Sequence, residues 1–336
     1  MRAIPPELWI PPVLRSRGLA ARHLAKLKAK FAASEPLSFD HQEHWRRPEV
    51  QGVLLARQGS VCAYCGRNLL KPTTDDVEHF RPKLAVTEDL THGGYWWLAY
   101  SVSNLFLSCI PCNRAYKRNL FPVDPPKGRV HFSRRVRLPR EPRLLLDPIC
   151  DPVEDLLRCA WEPELPYLTP APGLSAWDRR RAEETIQLLH LNQREDLRQG
   201  WMRARFQLVA ALDRGEEAEA RRLASRVTPF SVVCRDMLKD LRPSLLPAPG
   251  DEILYLLDVL RDALRIAKGM AASPARTDET LRLWERCLWA LAGVHRSTWQ
   301  EQGAWVEQQL TDLNVLSELR PLSAQLTQDR SSHRCS

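Results

Sequence analysis

The sequence has no apolar run approaching the length of a membrane span, and its opening stretch, Met1 to Leu19, lacks the hydrophobic core of a secretory signal. It has no internal repeat. Its cysteine count is odd, nine in 336 residues, which argues against a disulfide framework that a chain of this length does not need. These absences argue against a membrane protein, a repeat array and a disulfide-stapled secreted domain, and a reducing cytoplasm is the expected setting. Acidic excess is also missing. The net charge is +8, with 27% charged and 44% hydrophobic residues, enough apolar content for a buried core.

The positive charge is uneven. Residues 1–47 carry nine Lys/Arg against four Asp/Glu, and residues 127–143 carry seven against one. Together these two segments exceed the whole chain's net charge, so the remainder is slightly acidic. Concentrated basic charge is what a polyanion-binding surface requires.

Between the basic segments lie two Cys-x-x-Cys pairs, Cys62/Cys65 and Cys109/Cys112. Two residues between thiols let both bind one ion from a tight knuckle, and four thiolates suit a closed structural zinc site. The 43 residues from Cys65 to Cys109 must then fold back so that the knuckles meet. That gap contains Glu78 and His79, and Asn113 directly follows the second pair. Closing the zinc site therefore brings the Glu78–His79 strand toward Asn113. Histidine has the pKa to take a proton from water near neutral pH. Of the adjacent pair, one side chain can ligate Mg²⁺ while the other reaches water. The Asn113 amide oxygen offers a second protein ligand, and Mg²⁺ keeps several waters. Asn104 either holds the loop after His79 or accepts the second N–H of its imidazole. Arg81, Lys83, Lys117 and Arg118 are expected to touch phosphates. Tyr95, Trp96 and Trp97 read as core, with base stacking as the alternative.

The expected architecture is α+β, a small zinc-stabilised ββα unit within a mostly helical chain. A basic, partly helical arm covers 1–48, with its helix at 19–31. The motif module covers 49–150, with strands at 77–80 and 105–107 and a helix starting near Cys112. The rest, 151–336, begins in a proline-rich connector over 139–173, expected to be ordered but irregular. It continues as helices. Ser175 and Asp178 form a capping box leading into Ala182, Ile186 and Leu189. Helical spacing recurs at Leu197, Trp201, Leu208 and Leu212, then at 253–264, 281–291 and 299–313.

The stretches CAYC, VEHFRPK, GYWWLAYSVSNLFLSCIPCN, YK and FPV resemble the HNH (His-Me finger, ββα-metal) endonucleases. More closely, they resemble the PtuB-type nucleases of Septu anti-phage systems and related retron-linked effectors. LLLDP and ETIQLLHLN downstream extend the likeness, which spans about 45 to 205. The resemblance implies a metal-dependent nuclease that cuts DNA, controlled by an ABC or SMC-like ATPase partner of the PtuA type. It implies His79 as general base, Glu78 and Asn113 as holders of a catalytic Mg²⁺ or Mn²⁺, Asn104 as orienter of the loop, and the four cysteines as zinc ligands. Glu78 stands where Asp or His is commoner, and Asn113 where the final His often sits; both keep an oxygen donor. The alternatives are an RNA- or tRNA-cutting nuclease and a non-catalytic zinc-stabilised scaffold that binds nucleic acid.

Overall fold

A computed structural model describes Met1, Ile4 and residues 12–69, 76–132, 138–162 and 164–247. The expected helices at 253–264, 281–291 and 299–313 lie outside the described residues, as do Arg134, Arg135 and Arg137 of the second basic segment.

The described chain is a mixed α/β structure with two small antiparallel sheets. Helix α1, Leu19–Ala32, is built from Ala, Leu and Lys, all good helix formers, and buries Ala20 and Leu27. Helix α2, Pro48–Gln58, starts with proline at its first position, where the missing N–H has no partner to lose. Strand β1, Asp76–His79, pairs with β2, Leu105–Ser108, in the register Glu78↔Phe106 and His79↔Leu105. Both strands lie close to the expected positions. A π-helical turn, Pro111–Lys117, follows β2.

Two buried side chains of α2 clamp β2. Arg57 donates to the carbonyls of Val102 (3.2 Å) and Leu105. Gln58 donates to the Leu107 carbonyl at 2.8 Å and accepts from the Leu107 N–H at 3.0 Å. The same Gln58 amide donates to the Val61 carbonyl at 2.7 Å, which ties the clamp to the first thiol pair.

The connector over 139–173 is not irregular throughout. It contains a short helix α3, Val153–Leu156, and a hairpin of β3, Leu157–Glu162, with β4, Leu165–Pro170. Pro166 and Pro170 sit in β4, and a two-stranded sheet has only edge strands, where a residue without an N–H costs no ladder bond. Helix α4, Ala176–Leu188, begins at Ser175, whose hydroxyl accepts from the Asp178 N–H at 3.1 Å. Helix α5, Glu195–Asp213, buries Leu197, Trp201, Ala204, Leu208 and Ala211 at helical spacing. Helices α6, Glu217–Leu223, and α7, Ser231–Leu241, close the described part.

The helical region packs directly on the thiol-bearing part. Phe230, in the left-handed region at φ +58°, donates its N–H to the Gly66 carbonyl at 2.8 Å. Its ring lies where a Cβ on Gly200 would stand, so only glycine fits at that point of α5. A single hydrophobic core runs from Trp45, Tyr64 and Phe106 to Trp201, Leu208 and Val233.

Candidate metal centre and catalytic pocket

The first thiol pair sits in a tight knuckle. The Cys62 N–H donates to the Arg67 carbonyl, and Gly66, at φ +74°, returns its N–H to the Cys62 carbonyl. The second pair straddles the end of β2 and the start of the π-helical turn. All four Sγ atoms are buried and lie within 4.8 Å of one another. A tetrahedron with metal–sulfur bonds of about 2.3 Å has edges of roughly 3.8 Å. The Cys65–Cys109 sulfur separation is 3.8 Å, far beyond a disulfide bond. The cluster therefore fits a metal such as zinc. The Cys109 N–H points at the Cys62 sulfur at 3.4 Å.

Arg194 completes this centre. Its guanidinium is buried, donates to the Cys112 sulfur at 3.2 Å and lies over the Tyr116 ring at 5.3 Å. Burial works against its charge, but Cys112 and Cys65 push its pKa up. Four thiolates around a dication carry net negative charge, which this cation offsets. Sequence reasoning missed Arg194, since nothing in its surroundings distinguishes it from the many other arginines.

His79 ends β1. Its Nε2 lies 3.0 Å from the Ala99 carbonyl oxygen, which only accepts, so Nε2 carries the proton and Nδ1 keeps its lone pair. The Trp45 ring meets the imidazole edge-on at 4.8 Å. Burial, and then the charge of Lys83, pulls the His79 pKa well below the usual histidine value. The imidazole is therefore neutral at neutral pH. Glu78 is buried beside it. Its Oε1 takes the Lys117 ammonium at 2.6 Å and the Tyr64 hydroxyl at 3.1 Å. Burial raises the Glu78 pKa, and Lys117 and Tyr64 oppose that rise.

Asn104 settles on the first of its two expected positions. Its Oδ1 accepts from the Arg81 N–H at 2.8 Å, and its Nδ2 donates to the Arg81 carbonyl at 3.1 Å. It holds the loop after His79, while the imidazole's N–H goes to Ala99, a backbone partner that side-chain identity does not reveal.

A cavity of about 600 Å³ gathers Glu78, His79, Lys83, Asn113 and Arg118, with Arg46, Asp76 and Arg114 also on its wall. The Asn113 side chain has no hydrogen bond to a described residue. Two of the expected phosphate contacts are elsewhere. Arg81 is buried and paired with Glu141 at 2.8 Å. Lys117 is fully buried, spanning Glu78 and the His79 carbonyl at 2.9 Å. Both cations hold the protein together and are out of reach of a ligand. Lys83 lies 4.9 Å over the Trp45 ring, and Arg118 is exposed. Arg46 and Arg114 were missed as cations of the pocket. Arg114 grips both oxygens of Asp76, at 2.7 and 2.5 Å.

The chain is 36% identical over 124 residues to Septu protein PtuB of Bacillus mycoides (strain KBAB4), covering 34% of this chain and 40% of that relative. The matched stretch is similar to a Septu PtuB protein. The chain thus spans well under half the length of the PtuB relative it matches. No protein-family model matches the chain, and no solved structure matches it. No helix among the described residues is long and apolar enough to cross a membrane.

Proposed function

We propose that this chain is a metal-dependent HNH endonuclease that hydrolyses phosphodiester bonds of DNA. We further propose that it serves as the effector of a Septu-type anti-phage system in the cytoplasm, alongside a PtuA-type ATPase of the ABC or SMC-like kind. The nuclease module is residues 49–150, a ββα-metal unit, with a basic arm before it and a helical region after it. The observation that carries this reading is the His79 imidazole. It is neutral, its Nε2–H is committed to Ala99, and it shares a cavity with a carboxylate and an amide oxygen under a rim of cations.

In this reading His79 Nδ1 takes a proton from water as the water oxygen bonds to phosphorus and the bond to the 3′-oxygen breaks. Ala99 fixes the ring tautomer, and Trp45 fixes its tilt. Glu78 and Asn113 are the residues that would hold a catalytic Mg²⁺ or Mn²⁺. Their donors are hard oxygens, which suits such an ion. When bound, the ion supplies positive charge against the developing charge on the leaving oxygen. Lys83, Arg46 and Arg118 line the approach, where cations position a phosphate backbone without reading its sequence.

The test is to incubate the chain, together with the ATPase encoded beside it, with plasmid and with total RNA. The expected result is nicked or linear plasmid in Mg²⁺ and none when EDTA is added first. Cutting confined to RNA, or cutting that ignores EDTA, would contradict the reading.

A further inference from the structure

A second cavity backs onto the catalytic one. Lys83 lines the first, and the next residue, Leu84, lines the second, which has a volume of about 350 Å³. The backbone of residues 83–84 is the shared wall. It packs so tightly on Gly94, at φ +77°, that no Cβ fits between them. The volume lies within the usual range for small-ligand sites, about 300–1,000 Å³. Trp96, Trp97, Phe132 and Phe31 supply its aromatic lining, with Trp96 and Phe132 rings 4.6 Å apart and Phe31 and Trp96 rings 5.3 Å apart. His131 and Phe31 stand exposed at its mouth, Phe31 at 46%. The buried Trp97 indole N–H has no acceptor among the described residues.

The helix beside this pocket carries charge of one sign. Helix α1 ends at the pocket with Phe31. Lys28 and Lys30 are exposed within one turn of Phe31, Arg22 and Lys26 are exposed farther back on the opposite face, and the helix contains no Asp or Glu. Aromatic faces beside a run of cations are what an unpaired nucleic-acid strand needs, with bases on the rings and phosphates on the lysines.

We infer that this pocket is a nucleotide-binding exosite that takes an unstacked base of a single-stranded segment of the substrate, with α1 holding the phosphates beside it. The inference rests on the nuclease reading for its substrate class. It adds that the enzyme prefers substrates with unpaired nucleotides near the cut.

The experiment uses the full-length His79→Ala chain without added divalent ion, so that nothing is cut. Affinity is read by fluorescence anisotropy with a labelled single-stranded DNA and with its duplex, and base insertion with 2-aminopurine in the single strand. The expected result is single-strand binding about tenfold tighter than duplex binding, with quenched 2-aminopurine. Phe31→Ala and Lys28→Glu, both at exposed positions, should each weaken single-strand binding about tenfold. Phe31→Ala should also relieve the quench. Unchanged affinity and quench in properly folded variants overturn the inference. So does a loss of ATPase binding with strand binding intact, which would make the face a protein-docking surface. If the His79-intact chain never cuts DNA while the pocket binds strands as described, the exosite stands and the nuclease reading falls. If it cuts but both variants bind like the parent, only the exosite falls.

Discussion

At the scale of single residues, the buried cation Lys117 carries more of the site than its exposed neighbours do. It joins the Glu78 carboxylate to the His79 carbonyl, so one ammonium sets the spacing of the two residues proposed to hold metal and to take the proton. Removing it leaves a buried carboxylate with the Tyr64 hydroxyl as its hydrogen-bond partner and the Lys83 charge at longer range. Lys117→Met is expected to cost about 3–5 kcal/mol of stability, the usual penalty for orphaning one member of a buried pair. Lys117→Arg is expected to recover part of this. Denaturant unfolding of the three proteins checks it, and a Met variant as stable as wild type would contradict the role. Residue types were legible in the sequence here, but burial was not. Arg81 and Lys117 read as phosphate contacts because a lysine beside a motif looks the same whether it faces solvent or a carboxylate. The Ala99 carbonyl was not legible either, because every residue carries one.

At the scale of elements, hydrophobic spacing served well wherever a helix is long enough to show its period. Leu197, Trp201 and Leu208 announced α5, and Ser175 with Asp178 announced the start of α4. The hairpin of β3 and β4 was hidden because its prolines resemble those of a loop, and the two-strand pairing that tolerates them is a tertiary fact. That hairpin is tied to α7 by Asp236, which accepts from the Cys159 N–H at 2.7 Å. Burial pushes the Asp236 pKa up to about 6 from an ordinary 3.8. Between those values the folded chain binds the proton and the unfolded chain does not. This group's contribution is therefore most favourable at low pH and falls as pH rises through that window. Asp236→Asn keeps an oxygen acceptor and cannot ionise. Relative to wild type it should gain on the order of 2 kcal/mol as pH rises from about 4 to about 7. Urea unfolding across that range tests this, and a constant difference between the two proteins would refute it.

At the scale of the whole molecule, the four thiols bring together stretches that are distant in sequence. The pairs were legible because Cys-x-x-Cys spacing has few other uses, and the cluster they form is buried with sulfurs at metal-bridging distances. How far the helical region depends on that cluster was not legible. Arg194 reaches from just before α5 to the Cys112 sulfur, Arg67 pairs with Asp196 at 3.0 Å, and Phe230 bonds to Gly66. Loss of metal should therefore be felt well beyond the knuckles. Cys109→Ser is expected to lower the stability of the whole described chain by several kcal/mol, on the order expected when a structural metal is lost. Hydrogen exchange should show α5 opening along with β2. Protection of α5 unchanged in that variant would separate the two parts.

The central claim is that this assembly puts a neutral imidazole where it can take a proton during phosphodiester hydrolysis. The most direct measurement compares the rate of plasmid cutting in Mg²⁺ by wild type and by His79→Ala at matched metal content and melting temperature, each with the proposed ATPase partner present. The account predicts a loss of about 10²-fold or more with metal content and folding unchanged. Equal rates from the two proteins would contradict it.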